Sequence, residues 1–190
     1  MKKLVLFASG NGSNFEAIAT AIENKTLDAE IAGLIVDKAE AYCLVRAQNH
    51  HIPSALFLRK DYESKLAMDE AILKQVRLWQ ADWIILAGYM RILTPTLISA
   101  YPKRIINIHP SLLPQYKGKD ALGQALANHD TVLGVSVHYV DEGMDTGELI
   151  AQRSFTIEKD QDRTRVEHTL HALEHTLYPE VIRTLIKEKP

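Results

Sequence analysis

Residues 4–22 read Leu-Val-Leu-Phe-Ala-Ser-Gly-Asn-Gly-Ser-Asn-Phe-Glu-Ala-Ile-Ala-Thr-Ala-Ile. The unbroken apolar run from Leu4 to Ser9 predicts a buried strand, and Phe15, Ile18, Ala19 and Ile22 recur at helical spacing after the glycines. Strand, glycine turn and helix, in that order, open a Rossmann-like α/β fold with a mostly parallel central sheet flanked by helices. Glycines let the backbone turn tightly and let an anion approach the amides at the positive end of the helix. Ser13 and Asn14 are expected to cap that helix or add donors, so the turn suits a phosphate. It departs from the dinucleotide fingerprint, because Phe15 stands where a third glycine is needed for close helix packing, although Asp37 follows the next strand as a ribose-binding acid would.

Outward from this unit the same alternation continues. Ile31 to Val36 reads as a strand, Ala39 to Asn49 as a helix, Ala55 to Leu58 as a short strand, and Tyr62 to Trp79 as a helix with Leu66, Met68, Ile72, Leu73, Val76 and Trp79 on its stripe. Trp83 to Ala87 is a buried strand that ends in Gly88-Tyr89-Met90-Arg91-Ile92-Leu93, a second loop at the same sheet edge, before Thr94-Pro95 starts a helix. Asp120 to Asn128 reads as a short helix, Val132 to Val140 and Glu148 to Ile157 as strands, and the remainder as a helix burying Val166, Leu170, Leu173, Leu177, Val181 and Leu185. Pro179 is expected to kink that helix or divide it in two. Trp79 and Trp83 read as core, and His138, inside a strand, as a satisfied core histidine.

The 190 residues, 46% of them hydrophobic, are expected to form one domain spanning 1–190. The formal net charge of -2 comes without blocks of like charge, which argues against a nucleic-acid surface or a polybasic membrane patch and favours small substrates. Lys2-Lys3 and the apolar run after them imitate a secretory signal, but the run is too short, and no stretch approaches a bilayer span. The single cysteine, Cys43, excludes an intrachain disulfide and reads as a buried thiol of a cytoplasmic protein.

Chemistry gathers in Ile105 to Gly118, Ile-Ile-Asn-Ile-His-Pro-Ser-Leu-Leu-Pro-Gln-Tyr-Lys-Gly. The alternation at its start puts Asn107 and His109 on one face of a strand, and Pro110 ends the strand at the histidine. An amide donor beside a titratable imidazole, at the C-terminal edge of an α/β sheet, is what acyl transfer needs to polarise a carbonyl and move a proton. The orienting acid is expected in Asp141-Glu142-Gly143-Met144-Asp145-Thr146-Gly147. His171-Ala172-Leu173-Glu174-His175 matches an inverted zinc-peptidase pattern, but zinc needs a further protein ligand, and the polar rim of a ligand pocket is the expected role.

Together these stretches resemble the phosphoribosylglycinamide formyltransferases, folate-dependent enzymes of purine synthesis. The resemblance is carried by Ser-Gly-Asn-Gly-Ser-Asn at 9–14, Ala-Gly-Tyr-Met-Arg-Ile-Leu at 87–93, Asn-Ile-His-Pro-Ser-Leu-Leu-Pro at 107–114, Ser-Val-His-Tyr-Val at 136–140, Met-Asp-Thr-Gly at 144–147 and Glu-His-Thr-Leu-Tyr-Pro at 174–179. The third of these is shared by 10-formyltetrahydrofolate formyltransferases and hydrolases alike, whereas the glycine turn carries the information about the acceptor.

The resemblance implies direct transfer of a formyl group from 10-formyltetrahydrofolate, as co-substrate and without a metal, to the glycinamide amine of phosphoribosylglycinamide on the route to IMP. It implies Asn107, His109 and Asp145 as catalytic residues, and Gly12, Ser13, Asn14, His171 and Glu174 as ligands of the ribonucleotide. It places the folate on Lys65, Met90, Arg91, Ile92, Leu93, Asn107, Asp141, Glu142 and Gly143. Lys65 departs from the arginine often found there, and position 171 varies in the family. A monomer or homodimer is implied. Three alternatives stand beside this reading. A transfer-RNA formyltransferase normally has a longer chain with a second domain and lacks the glycine turn. A formyltetrahydrofolate hydrolase normally has a regulatory domain before the first strand, which here begins at Leu4. The third is a nucleotide-sensing module of the same fold.

Overall fold

The first strand, β1 (Lys2–Ala8), is buried on both faces, which is why its sequence is continuously apolar rather than alternating. Leu4, Leu6 and Ala8 enter one apolar cluster and Val5 and Phe7 the other. The computed structural model describes residues 1–158 and 161–187. The remaining strands are β2 (Ala29–Val36), β3 (Ser54–Leu56), β4 (Trp83–Leu86), β5 (Ile105–His109), β6 (Val132–Tyr139) and β7 (Leu149–Thr156). The helices are α1 (Ser13–Glu23), α2 (Cys43–Asn49), α3 (Lys65–Leu78), α4 (Pro95–Ala100), α5 (Ala121–Ala127) and α6 (Arg163–Lys187). Helices α1, α2, α5 and α6 contribute to the first cluster and α3 and α4 to the second, so the sheet is covered on both sides.

The strands lie in the order β3-β2-β1-β4-β5-β6-β7. From β3 to β5 the pairings are parallel, and β6 and β7 are added antiparallel. The chain therefore builds outward from β1 to β3 and then crosses back to lay β4 on the other side of β1. Where the order reverses, the loops leaving the two strands diverge and open the crevice in which such sheets bind ligands. Here those loops are also tied together: the Ser9 amide donates to the Gly88 carbonyl at 3.1 Å, and the Met90 amide to Ser9 Oγ at 2.9 Å.

Several elements differ from their sequence expectations for identifiable reasons. α2 starts at Cys43 rather than Ala39, where the Cys43 amide donates to the Gly10 carbonyl at 3.1 Å and joins the helix start to the glycine turn. α3 starts after Ser64, whose hydroxyl accepts from the Ala67 amide at 3.0 Å, and Leu66 on its first turn is exposed. α6 is not divided at Pro179. The neighbouring Tyr178 is fully buried, and its hydroxyl donates to the Leu86 carbonyl at 2.8 Å and lies 3.1 Å from that of Ile106, pinning the helix to β4 and β5. Trp83 is buried as expected, whereas Trp79 is half-buried against Gly33, where a side chain would collide with the indole. No helix among the described residues is long and apolar enough to cross a membrane.

Tyr178 and Tyr89 are both buried, but the Tyr89 hydroxyl has no hydrogen-bond partner among the described residues. The same chemical change should therefore give two outcomes: Tyr178→Phe lowers stability by about 1–2 kcal/mol, while Tyr89→Phe is neutral or stabilising. Urea unfolding of both variants measures the difference.

Candidate active site

β5 ends at His109, where Pro110 has no amide to continue the ladder. Ile106 and Ile108 face the first apolar cluster, which leaves Asn107 and His109 on the opposite face of the strand. The antiparallel partner β6 sets His138 directly across from Asn107 and Ser136 across from His109. Ser136 Oγ anchors the loop that follows β5: it donates to the Ser111 carbonyl at 2.6 Å and accepts from the Leu113 amide at 3.0 Å. That loop returns over the histidine, so that His109 Nε2 lies 2.8 Å from the Tyr116 carbonyl and must carry the proton it donates there.

Asp145 closes the cluster from the loop after β6. It adopts a left-handed backbone (φ 53), which Asp and Asn tolerate better than other side chains with a Cβ. Its Oδ2 lies 3.4 Å from His109 Nδ1 and accepts from the Gly118 amide at 2.9 Å, while Oδ1 lies 3.5 Å from both His138 Nε2 and Asn107 Nδ2. The side chain is 11% exposed, and those of His109 and His138 only 7% and 3%. Burial alone acts to raise the pKa of Asp145. The hydrogen bonds from His138 and the Gly118 amide, with the charges of both histidines, outweigh it and hold the carboxyl below the usual carboxylate value.

His138 is buried, as expected of a core histidine, yet it also belongs to this cluster. Its Nδ1 donates to the Tyr139 carbonyl at 2.7 Å, and its Nε2 lies 3.2 Å from Asn107 Nδ2 and 3.5 Å from Asp145 Oδ1: without a proton that nitrogen accepts from Asn107, and with one it donates to the carboxylate. One Asn107 N–H is thereby held by His138, and the other has only the long approach to Asp145. Nothing in the linear sequence reveals this partnership, because it depends on the antiparallel register of β5 and β6. The Tyr116 carbonyl and Gly118 amide were equally invisible, being backbone groups of a loop.

At the end of β1, Gly12 occupies the capping position of α1 in a left-handed conformation (φ 76), and no side chain caps the helix. Ser13 and Asn14 are thus not caps. Instead Asn14 Nδ2 donates to Glu174 Oε2 at 3.1 Å, joining the turn to α6. Glu174 is buried, and burial raises its pKa against the lowering effects of Asn14 and His171. His171 is exposed and stacks on His175 with ring centroids 6.2 Å apart, while the Glu174 carboxylate turns inward to Asn14. The described residues hold no cluster of three or more His, Cys, Asp or Glu arranged for a metal. A groove of about 600 Å³ runs between α1 and α6 from Ser13 and His175 toward Arg183, apart from the Asp145 cluster.

The folate residues implied by the sequence lie on two loops and one helix. Met90 and Ile92 are exposed, Arg91 is half-buried and Leu93 is buried. Asp141 Oδ1 accepts from the Gly143 amide at 3.1 Å and from Thr146 Oγ1 at 2.7 Å, which shapes the loop carrying Asp141, Glu142 and Gly143. Lys65 opens α3 one turn before Asp69, on the same helix face, and Asp69 Oδ2 accepts from the Thr94 amide at 2.7 Å, next to Leu93.

Because the folded state holds Asp145 below its ordinary pKa, its charge contributes stability above about pH 4, and that contribution is lost as pH falls through the lowered value. Asp145→Asn should therefore be less stable than the parent at neutral pH, with the gap closing below about pH 4. Melting temperatures across this range test it.

Comparison with known proteins agrees with this geometry. A formyl transferase family profile matches residues 2–182. The chain is 50% identical over 186 residues to the phosphoribosylglycinamide formyltransferase of Bacillus subtilis, covering 98% of this chain and 95% of that one. It superposes with a TM-score of 0.95 on glycinamide ribonucleotide transformylase 1 from Geobacillus kaustophilus, at 49% identity and covering 97% of this chain and 98% of that one. The phosphoribosylglycinamide formyltransferase of Bacillus halodurans gives the same score at 43% identity, covering 98% and 96%. Likeness of this extent, in sequence and in backbone, makes the chain a member of the formyl transferase family.

Proposed function

We propose that residues 1–190 form a single catalytic domain that transfers the formyl group of 10-formyltetrahydrofolate to the glycinamide amine of phosphoribosylglycinamide, a step of purine (IMP) biosynthesis. The observation that carries the chemistry is the placement of Asn107 and His109 on one face at the end of β5, with the Asp145 carboxylate 3.4 Å from the imidazole. The glycine turn lies at the end of β1, two strands from β5. That is a lateral distance of about 10 Å, over which a sugar phosphate bearing a short amide can reach.

Attack of the amine on the formyl carbon creates an oxyanion and leaves a surplus proton on the new nitrogen. The Asn107 N–H that makes only the long approach to Asp145 and the His109 Nε2–H are the two donors for that oxyanion, the second once the Tyr116 carbonyl gives way to substrate. The carboxylate of Asp145, 3.4 Å from Nδ1, would orient the ring so that Nε2–H faces the intermediate as it forms. As the carbonyl re-forms and the bond to the folate nitrogen breaks, His109 would give its Nε2 proton to that nitrogen and take the surplus proton of the amine in its place. No enzyme nucleophile is required.

The acceptor would be held with its phosphate on Gly12, Ser13 and Asn14, and its sugar and glycinamide on Glu174, with His171 at the rim. The exposed apolar side chains of Met90 and Ile92, with Arg91, Leu93, Lys65 and the 141–143 loop, would bound the folate. Both substrates are small molecules. A cytoplasmic location agrees with the lone buried cysteine, and a monomer or homodimer is taken from the family resemblance alone.

Purified protein should release tetrahydrofolate from its 10-formyl form only when glycinamide ribonucleotide is present. Equal release without the acceptor would indicate the hydrolase, and no release in either case a binding module. His109→Ala and Asn107→Ala should each lower turnover by about two to four orders of magnitude. The double variant should lose less than the product of the two single losses, because both groups act on one intermediate.

A further inference from the structure

One side chain holds the glycine turn from α2, at the Ser13 end of the groove between α1 and α6. Arg46, in α2, donates from Nε to the Asn11 carbonyl at 2.9 Å and from Nη2 to Asn11 Oδ1 at 3.0 Å. Its Nη1 donates to Glu16 Oε2 at 2.9 Å. Glu16 is held in turn by His50, whose two ring nitrogens lie 3.0 Å from Glu16 Oε1 and 2.6 Å from Glu23 Oε1. All three guanidinium nitrogens are thus engaged, and a carboxylate already balances the charge.

The same helix takes a second carbonyl of the turn, since the Cys43 amide donates to Gly10 O. The carbonyls of Gly10 and Asn11 are therefore both drawn toward α2. In a trans peptide the C=O and the N–H point opposite ways. Drawing those two carbonyls back turns the Asn11 and Gly12 N–H groups outward, on the side where α1 begins. Helix geometry leaves the first amides of α1 without carbonyl partners, since the first bond runs from the Glu16 amide to the Gly12 carbonyl at 2.9 Å. Consecutive outward amides of this kind form an anion-binding concavity.

The turn needs such an external hold. Gly10 and Gly12 have little conformational bias of their own, and glycine at position 12 is required twice, by its φ of 76° and by Cys43, whose Cβ would lie 2.5 Å from an added Cβ. We infer that Arg46 is a positioning residue for the ribonucleotide phosphate: without touching the ligand, it fixes the peptide planes of residues 10–12 so that their amides converge on it. This rests on the reading of the turn as a phosphate cradle.

Arg46→Gln, Arg46→Lys and Ser13→Asp, each compared with the parent in steady-state kinetics and melting, test the inference. Arg46→Gln should raise KM for the ribonucleotide about ten- to hundredfold, leaving KM for the folate and turnover at saturation within about twofold. Arg46→Lys keeps the charge but lacks the planar fork, and should behave like Arg46→Gln. Recovery of the parent KM in the lysine variant would mean that charge alone attracts the phosphate, and would overturn positioning. An unchanged KM in Arg46→Gln, or equal increases for both substrates with a lowered melting temperature, would overturn it as well. If Arg46→Gln does not fold, the lysine variant decides by the same criteria. Ser13→Asp separates the two layers. A normal ribonucleotide KM there removes the cradle, and the inference falls with it. A raised one beside normal Arg46 variants removes the inference alone.

Discussion

One buried carboxylate organises the candidate site. A charge taken out of water must be compensated by partners, and Asp145 finds them on three separate pieces of chain: His109 at the end of β5, His138 on β6 and the Gly118 amide on the loop between. Each partner is fixed in return. The loop from Pro110 to Gly118 is drawn over the histidine, His109 is left with Nδ1 toward the acid and a proton on Nε2, and Asn107 has one N–H held by His138. The arrangement that lowers the pKa of the carboxyl is the same one that would keep the imidazole in place against a developing oxyanion.

The sheet sets where this chemistry can reach. Strand order reverses between β1 and β4, so the glycine turn and the 88–93 loop leave the sheet side by side, latched through Ser9. β5 comes next, and its last residue is the histidine. The glycine turn before α1, the exposed apolar side chains of Met90 and Ile92 and the histidine at the end of β5 are thereby brought to one edge. The antiparallel β6 and β7 then supply a histidine directly opposite Asn107 and a short return for the acid loop.

Much of this was legible in the chain because it depends on local rules. The two-sided burial of β1 shows as an unbroken apolar run, Pro110 shows where β5 must stop, and alternation alone puts Asn107 and His109 together. Asp145 could be nominated from chemistry, since an imidazole at work needs an acid. What stayed hidden depends on register or on backbone. His138 looked like a core histidine because its partner lies thirty-one residues away across an antiparallel pair. Asn14, expected near a helix cap, reaches instead to Glu174 on the last helix, because Gly12 takes the capping position. Pro179 was expected to interrupt α6, but the neighbouring Tyr178 pins the helix to two strands.

The claim on which the rest depends is that the charge of Asp145, rather than its shape, serves His109. Asn keeps the shape and the left-handed backbone and removes the charge. The decisive measurement is turnover at saturating substrates in Asp145→Asn beside the parent, at neutral pH where both proteins are folded. The account predicts a large loss of turnover in the folded variant. Near-normal turnover would contradict it, leaving Asp145 as a residue that only shapes its loop.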